Sequence, residues 1–190
     1  MANEPMDSTL LDRAILFAVE AHKNTARRGK QLPYIVHPLE ALTIAATLTD
    51  DQEVLAAAVL HDTTEDTDVT LETLKAEFGE RVASFVETES DDISSGDSWQ
   101  ERKRKSAERL MAASHEAKIV ALGDKLSNMR AIARDYAMQG ESFWDLFHVK
   151  DKSVHAARYR GLVEALKEFS GTWAFEEFRE LVALVFFEES

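Results

Sequence analysis

Cysteine is absent from the sequence, which excludes disulfides, zinc–thiolate centres and thiol nucleophiles outright. Proline and glycine are scarce, three and seven in 190 residues, so few positions force the chain to turn. No apolar run approaches the roughly 18–20 residues that a membrane-crossing helix needs. Residues 1–7 lack both the basic and the apolar stretch that open a signal peptide, so the expected compartment is the cytoplasm. Positive charge is in deficit. Lys and Arg number 22 against 35 Asp and Glu, and the resulting −13 makes a surface that repels a phosphate backbone. Nucleic acid and membrane are therefore not the expected partners, whereas a small phosphorylated ligand stays open wherever a local basic cluster lines its pocket. What the chain does contain is 45% hydrophobic residues, enough to build the core of one ordinary domain.

Those apolar residues recur at helical period almost throughout. Leu10, Leu11, Ala14, Ile15, Phe17, Ala18 and Ala21 keep three- and four-residue spacing behind a Ser8/Thr9 cap. A basic loop with Gly29 and Pro33 follows, and His37-Pro38 opens a second helix to about residue 48, since proline suits the first helical position. The third helix, 53 to about 62, starts at Asp50/Asp51 and is apolar all round over 54–60, which places it at the centre of its domain. The spacing predicts further helices over 70–88, 99–113, 116–138, 143–169 and 173–188, with a polar loop at 90–98. Period-two alternation, the mark of a strand, is missing. The expected architecture is a single all-α domain with its core over about 10–138 and C-terminal helices over about 141–188.

The third helix runs into His61-Asp62-Thr63-Thr64-Glu65-Asp66. At roughly 100° per residue, His61, Asp62, Glu65 and Asp66 fall on one side of a helical turn. An imidazole and three carboxylates ending an apolar helix need partners or a metal. One imidazole with carboxylate oxygens suits Mn²⁺ or Fe²⁺ better than a structural zinc; a helix end facing water is the plainer alternative. His37, at a helix start, reads as a polar cap or a ligand. Asp124, set among the apolar residues of 119–126, reads as the partner of a buried Lys or Arg or as a ligand, with Asn128 one turn on. Together, two His and two Asp on three helices make a metal site between helices of the kind found in α-helical hydrolases.

Three basic features accompany them. Arg27, Arg28 and Lys30 can act as a counter-field for an anion or remain a solvated loop. In the run 102–105 at most half of the cations share a face, and Lys103 is the candidate to meet a pocket. Lys152, His155 and Tyr159 share a face at helical spacing, either to contact phosphate or base or as ordinary amphipathic surface. His22 reads as structural. Trp173, Phe175, Phe178, Phe186 and Phe187 read as packing, with a homodimer surface as the alternative.

The order His37…His61-Asp62…Asp124 resembles that of the HD-domain metal-dependent phosphohydrolases. The surrounding text is narrower. Pro33-Tyr34-Ile35-Val36-His37-Pro38-Leu39, Ala57-Ala58-Val59-Leu60-His61-Asp62-Thr63-Thr64-Glu65-Asp66-Thr67, Phe78-Gly79-Glu80-Arg81-Val82 and Gly123-Asp124-Lys125-Leu126-Ser127-Asn128-Met129-Arg130 resemble the hydrolase domain of the RelA/SpoT alarmone enzymes. The likeness covers about 21–130 and continues more loosely to the C-terminus. With 190 residues and no synthetase region, the chain looks like a small stand-alone alarmone hydrolase, and Ser90-Asp91-Asp92 with Glu101-Arg102-Lys103 resembles that subgroup.

The resemblance implies that His37, His61, Asp62 and Asp124 hold one Mn²⁺, with Fe²⁺ or another divalent ion as alternatives. It implies that Glu65 and Asp66 position and activate the attacking water, that Asn128 lies near ribose and base, and that Arg28 meets phosphate, with Lys30 beside it. The implied reaction is hydrolysis of the 3′-pyrophosphate of guanosine or adenosine alarmones such as (p)ppGpp or (p)ppApp, releasing pyrophosphate. An HD-type nucleotidase or NADPH phosphatase is the alternative reading. A catalytically silent nucleotide-binding module is the alternative of another class; the intact His37, His61, Asp62, Glu65, Asp66 and Asp124 argue against it. The chain departs from the long enzymes at Ser127 and Ala131, where they commonly carry His and Thr, and at Gly29, where a second basic residue is common. Ser127 and Ala131 are expected to alter the pocket wall that faces the base, which leaves guanine and adenine both open.

Overall fold

Thr9 and Asp12 open the first helix by exchanging hydrogen bonds between side chain and backbone, a reciprocal cap. In the computed structural model, which describes residues 9–27, 29–90, 96 and 98–186, this helix is α1, Leu10–Ala21. A loop closed by one isolated bridge between Ala26 and Pro33 leads to α2, Val36–Ala45. Asp51 then caps α3, Gln52–Leu60, by accepting the Glu53 N–H at 3.0 Å. Every residue of 54–60 is buried, and α3 packs against α1, α2, α6 (Glu80–Glu89) and α8 (His115–Gln139). Each fully buried Val or Leu there contributes about 1.5–3 kcal/mol, so this helix anchors the core as its sequence predicts.

The helix α8, His115–Gln139, runs past both α2 and α3. Gly123 makes that approach close: a Cβ at this position would lie 2.6 Å from the Ala41 carbonyl oxygen. The two backbones touch there, and the neighbours of that point, His37 on α2 and Asp124 and Ser127 on α8, are brought together. Among the described residues there is no strand, and the protein is an all-α helical bundle.

Three expected helices are interrupted. Instead of one helix over 70–88, the chain forms α5, Leu71–Phe78, and α6, Glu80–Glu89, because Gly79 takes φ +90°, a conformation that ends a right-handed helix. The third helix stops at Leu60, with His61 as its cap, rather than at about 62, and a separate single turn, α4, Thr63–Asp66, follows. The predicted helix over 143–169 is replaced by a 3-10 segment, Gly140–Leu146, then α9, Lys152–Ala165, and a short 3-10 turn, Lys167–Phe169. Gly140 at φ +63° ends α8, and Asp151 restarts the helix by accepting the Ser153 N–H at 2.8 Å. Between α6 and α8 lies α7, Trp99–Ala112, capped by Ser98; most of the predicted 90–98 loop lies outside the described residues.

The last helix, α10, Trp173–Phe186, packs on α8 and α9. Phe175, Phe178 and Phe186 are buried in that contact, whereas Trp173 is 61% exposed under the Arg130 guanidinium; Phe187 lies outside the described residues. No described helix is long and apolar enough to cross a membrane.

Candidate active site

His37 enters from the first turn of α2, His61 caps the end of α3, Asp62 follows it, and Asp124 projects from the middle of α8. Both imidazoles are 2% exposed. Their Nε2 atoms face each other at 3.2 Å. The Asp62 Oδ2 lies 3.3 Å from His37 Nε2 and 3.1 Å from His61 Nε2, and Asp124 Oδ1 lies 3.1 and 3.5 Å from the same two atoms. His37, His61 and Asp62 alone offer three ligand atoms within 4.8 Å of one another.

The outer nitrogens decide what the inner ones can do. His61 Nδ1 lies 2.9 Å from the Ala58 carbonyl, which only accepts, so that nitrogen carries a proton. His37 Nδ1 lies 2.8 Å from the Ser127 hydroxyl, whose single proton goes to Glu40 Oε2 at 2.8 Å; His37 Nδ1 is thus also the donor. In the neutral rings both Nε2 lone pairs point at one spot together with two carboxylates. Such an arrangement repels itself unless a cation sits in it. Burial alone lowers the His61 pKa, but Asp62 and Asp124 outweigh it and raise it well above its ordinary value. Burial alone would likewise raise Asp62 and Asp124, yet the imidazoles, and Lys125 for Asp124, hold both carboxyls well below their usual range. Two imidazoles and two carboxylates fit a divalent ion, which would take the place of those protons.

Neighbouring groups fix the carboxylates. The Tyr34 hydroxyl donates to Asp62 Oδ2 at 2.6 Å, and burial together with that carboxylate keeps the phenol protonated. His22, buried behind Tyr34 with ring centroids 5.0 Å apart, stays neutral because burial lowers its pKa. Asn128 donates to Asp124 Oδ1 at 2.5 Å, and Lys125 pairs with Asp124 and, at 2.9 Å, with Glu89. Asp124 thus faces the two imidazoles through Oδ1 and Lys125 through Oδ2, an arrangement compatible with both of its sequence readings.

Beyond Tyr34 and Asn128 opens a cleft of about 590 Å³. Asp66 lines it, as do Lys30 and Tyr159 among the other residues named from sequence, while Glu65 stands exposed on α4 beside it. Lys30 reaches into the wall by pairing with Asp135 at 2.6 Å. Arg27 also lines the cleft, 3.2 Å from the Asn128 side-chain oxygen and stacked 5.5 Å over the Tyr34 ring. Arg28 lies outside the described residues. Lys103 and Lys152 are not among the described lining residues. Lys103 stands on α7, and Lys152 donates to the Tyr136 hydroxyl at 2.7 Å and pairs with Glu141. His155 is a packing residue, bonded to the Val149 carbonyl at 2.7 Å and stacked on Trp144.

Two wall cations were not selected by sequence reasoning, Arg134 and Arg158. Arg134 stands on α8 and Arg158 beside Tyr159 on α9, and both reach the cleft, whereas Lys152 of the expected face meets Tyr136. Ser127 corrects a further expectation. Only Ala131 lines the cleft; Ser127 is fully buried behind His37 and faces no ligand space.

Comparison with known proteins places this geometry in context. The family model of the HD domain matches residues 14–146, and the chain belongs to the HD-domain family. A zebrafish (Danio rerio) protein, guanosine-3′,5′-bis(diphosphate) 3′-pyrophosphohydrolase MESH1, is 40% identical over 130 residues, covering 67% of this chain and 71% of that protein. The guanosine-3′,5′-bis(diphosphate) 3′-pyrophosphohydrolase of Aquifex aeolicus is 36% identical over 136 residues, 70% of this chain but 19% of that longer protein. A solved structure of a metazoan ortholog of SpoT, described as hydrolysing ppGpp, superposes with a TM-score of 0.73 at 26% identity, over 94% of this chain and 96% of that one.

Proposed function

We propose that the protein is a metal-dependent hydrolase that removes the 3′-pyrophosphate of guanosine 3′,5′-bis(diphosphate) and of closely related alarmones. The observation that carries this reading is the junction of two unlike sites. Buried His37, His61 and Asp124 and half-buried Asp62 lie behind Tyr34 and Asn128, which bond to Asp62 and Asp124 and themselves line a cleft walled by Arg27, Lys30, Arg134 and Arg158, in a protein of net charge −13. So local a reversal of charge has a clear use in receiving phosphates. Relatives bearing that activity in their names support the substrate class.

A divalent ion in the His37, His61, Asp62 and Asp124 cradle, Mn²⁺ by the mixed nitrogen and oxygen donors, would acidify water and neutralise phosphoryl charge. Glu65 and Asp66, one turn beyond Asp62, receive the proton of the attacking water. The water oxygen joins the phosphorus next to the 3′-oxygen as the bond between that phosphorus and the 3′-oxygen breaks; the proton taken from the water passes to the 3′-oxygen, so that pyrophosphate and a nucleoside with a free 3′-hydroxyl are the products. Tyr34 holds Asp62 in place, and the wall cations orient the phosphates. Asn128, bonded to both Asp124 and Arg27, sits where centre and cleft meet, suited to the ribose.

The test is product release by the Mn²⁺-loaded protein from guanosine and adenosine 3′-pyrophosphates, with NADPH in parallel. Pyrophosphate from the guanosine substrate is expected, and the ratio to the adenosine substrate measures base preference. Phosphate from NADPH alone would replace this reading with that of a nucleotide phosphatase.

A further inference from the structure

Two histidines face the same spot but are held by different means. His61 is oriented by a backbone carbonyl of its own helix. His37 is oriented by a string of side chains drawn from three helices. Its Nδ1–H meets Ser127 Oγ at 2.8 Å, and the Ser127 hydroxyl donates to Glu40 Oε2 at 2.8 Å. The other Glu40 oxygen accepts from Arg130 Nη1 at 3.0 Å. Arg130 spends its remaining fork on Glu177 of α10, Nε and Nη2 each 2.7 Å from a carboxylate oxygen.

We infer that Ser127 and Glu40 are positioning residues for His37, and that the Arg130–Glu177 pair makes the C-terminal helix α10 part of the metal centre's support. The inference rests on reading His37 as a metal ligand. Serine has one hydroxyl proton, and the Glu40 carboxylate claims it. The lone pair left on Oγ accepts from Nδ1, which locks the ring orientation and leaves Nε2 as the inward donor. A carboxylate behind a ligand histidine also strengthens the imidazole as a base toward a cation. Here the serine passes that influence on, because Glu40 does not itself reach the ring. Arg130 cannot let Glu40 swing away without giving up its hold between two carboxylates, one of them on α10. That helix begins at Trp173, well beyond the 14–146 span of the HD-domain match.

The decisive experiment is calorimetric titration of Mn²⁺ into the metal-free full-length protein, for the wild type and for Ser127→Ala, Glu40→Gln and Glu177→Gln. Visible spectra of the Co²⁺-loaded forms and thermal midpoints of the metal-free forms are recorded alongside. Ser127→Ala and Glu40→Gln are expected to weaken Mn²⁺ binding by about 10- to 100-fold. Glu177→Gln should weaken it by a few-fold in the same direction. The Co²⁺ ligand-field bands should shift in Ser127→Ala, a signature that loss of packing alone does not produce. If Ser127→Ala does not fold, Glu40→Gln decides, since it preserves size and lies partly exposed. Wild-type affinity and an unshifted Co²⁺ spectrum in both would overturn the positioning role. Wild-type affinity in Glu177→Gln alone would remove α10 from it. A wild-type protein that binds no divalent ion would instead sink the metal-centre reading itself.

Discussion

The buried end of the site and its open end are built in opposite ways. At the buried end, His37 and His61 are 2% exposed, and each outer nitrogen has a fixed partner. At the open end, the Lys30 side chain is 30% exposed, and its ammonium pairs with an aspartate that belongs to the cleft wall. Desolvated charges at the buried end cannot rearrange cheaply, so that end binds one thing in one geometry. Cations at the open end keep water and exchangeable partners, so they can meet phosphates of varied number and spacing. The proposed function gives chemistry to the buried cluster and selectivity to the cleft beside it, and substitutions should separate them.

The largest effect is expected from Asp62→Ala, which removes the oxygen shared by both imidazoles and by Tyr34. Turnover should fall below detection and bound metal to near zero, with the helical circular dichroism retained; an active, metal-replete variant would break the assignment of the buried end. Glu65→Gln should cut kcat by about 100-fold or more while metal content stays at the wild-type level. Arg158→Ala belongs to the open end and should raise KM about 10-fold, the cost of one charge-assisted contact, without altering Mn²⁺ affinity. A drop in metal affinity there would show that the two ends are not separable.

A pH experiment sharpens the same contrast. In the metal-free protein His61 binds its proton more tightly than its ordinary 6.5. Its charged form therefore stabilises the fold fully below that pH, and the stabilisation is lost as pH rises through the raised native value. The gain in thermal midpoint on adding Mn²⁺ should accordingly be larger at pH 8 than at pH 6. Equal gains would mean that the ion does not replace that proton. The smallest effect is expected from Lys152→Ala, whose ammonium faces Tyr136 and Glu141, with steady-state constants within about twofold of wild type.

The helical character, the central place of α3 and the two His and two Asp that the fold brings together were all legible in the sequence. Each depends on residue type and short spacing: an apolar run over 54–60, a His-Asp pair at its end, and a carboxylate among apolar neighbours at Asp124. Helix ends were less legible. Gly79 was visible as a glycine, but only the folded backbone puts it at positive φ and breaks the chain there, whereas the end of α8 at Gly140 was expected. Arg158 was passed over because the expected face ran through Lys152, His155 and Tyr159, and only the packing of α9 shows that Arg158 and Tyr159, rather than Lys152, reach the cleft.

Ser127 shows most plainly where sequence reasoning stops. A serine among polar neighbours on a long helix says nothing of direction, and Ser127 was expected at the base-facing wall, where only Ala131 lies. Its true place follows from Gly123, which lets α8 press against Ala41 until the Ser127 hydroxyl reaches between His37 and Glu40. The amino-acid sequence by itself determined the all-α class, the buried central helix and the His and Asp side chains that could serve as metal donors, because local periodicity and side-chain chemistry carry that information. Only the tertiary structure decided which cations wall the cleft, which side chains hold His37 and that Arg130 ties α10 to Glu40. Those depend on contacts between segments distant in sequence, whose approach is set by helix packing rather than by any spacing along the chain.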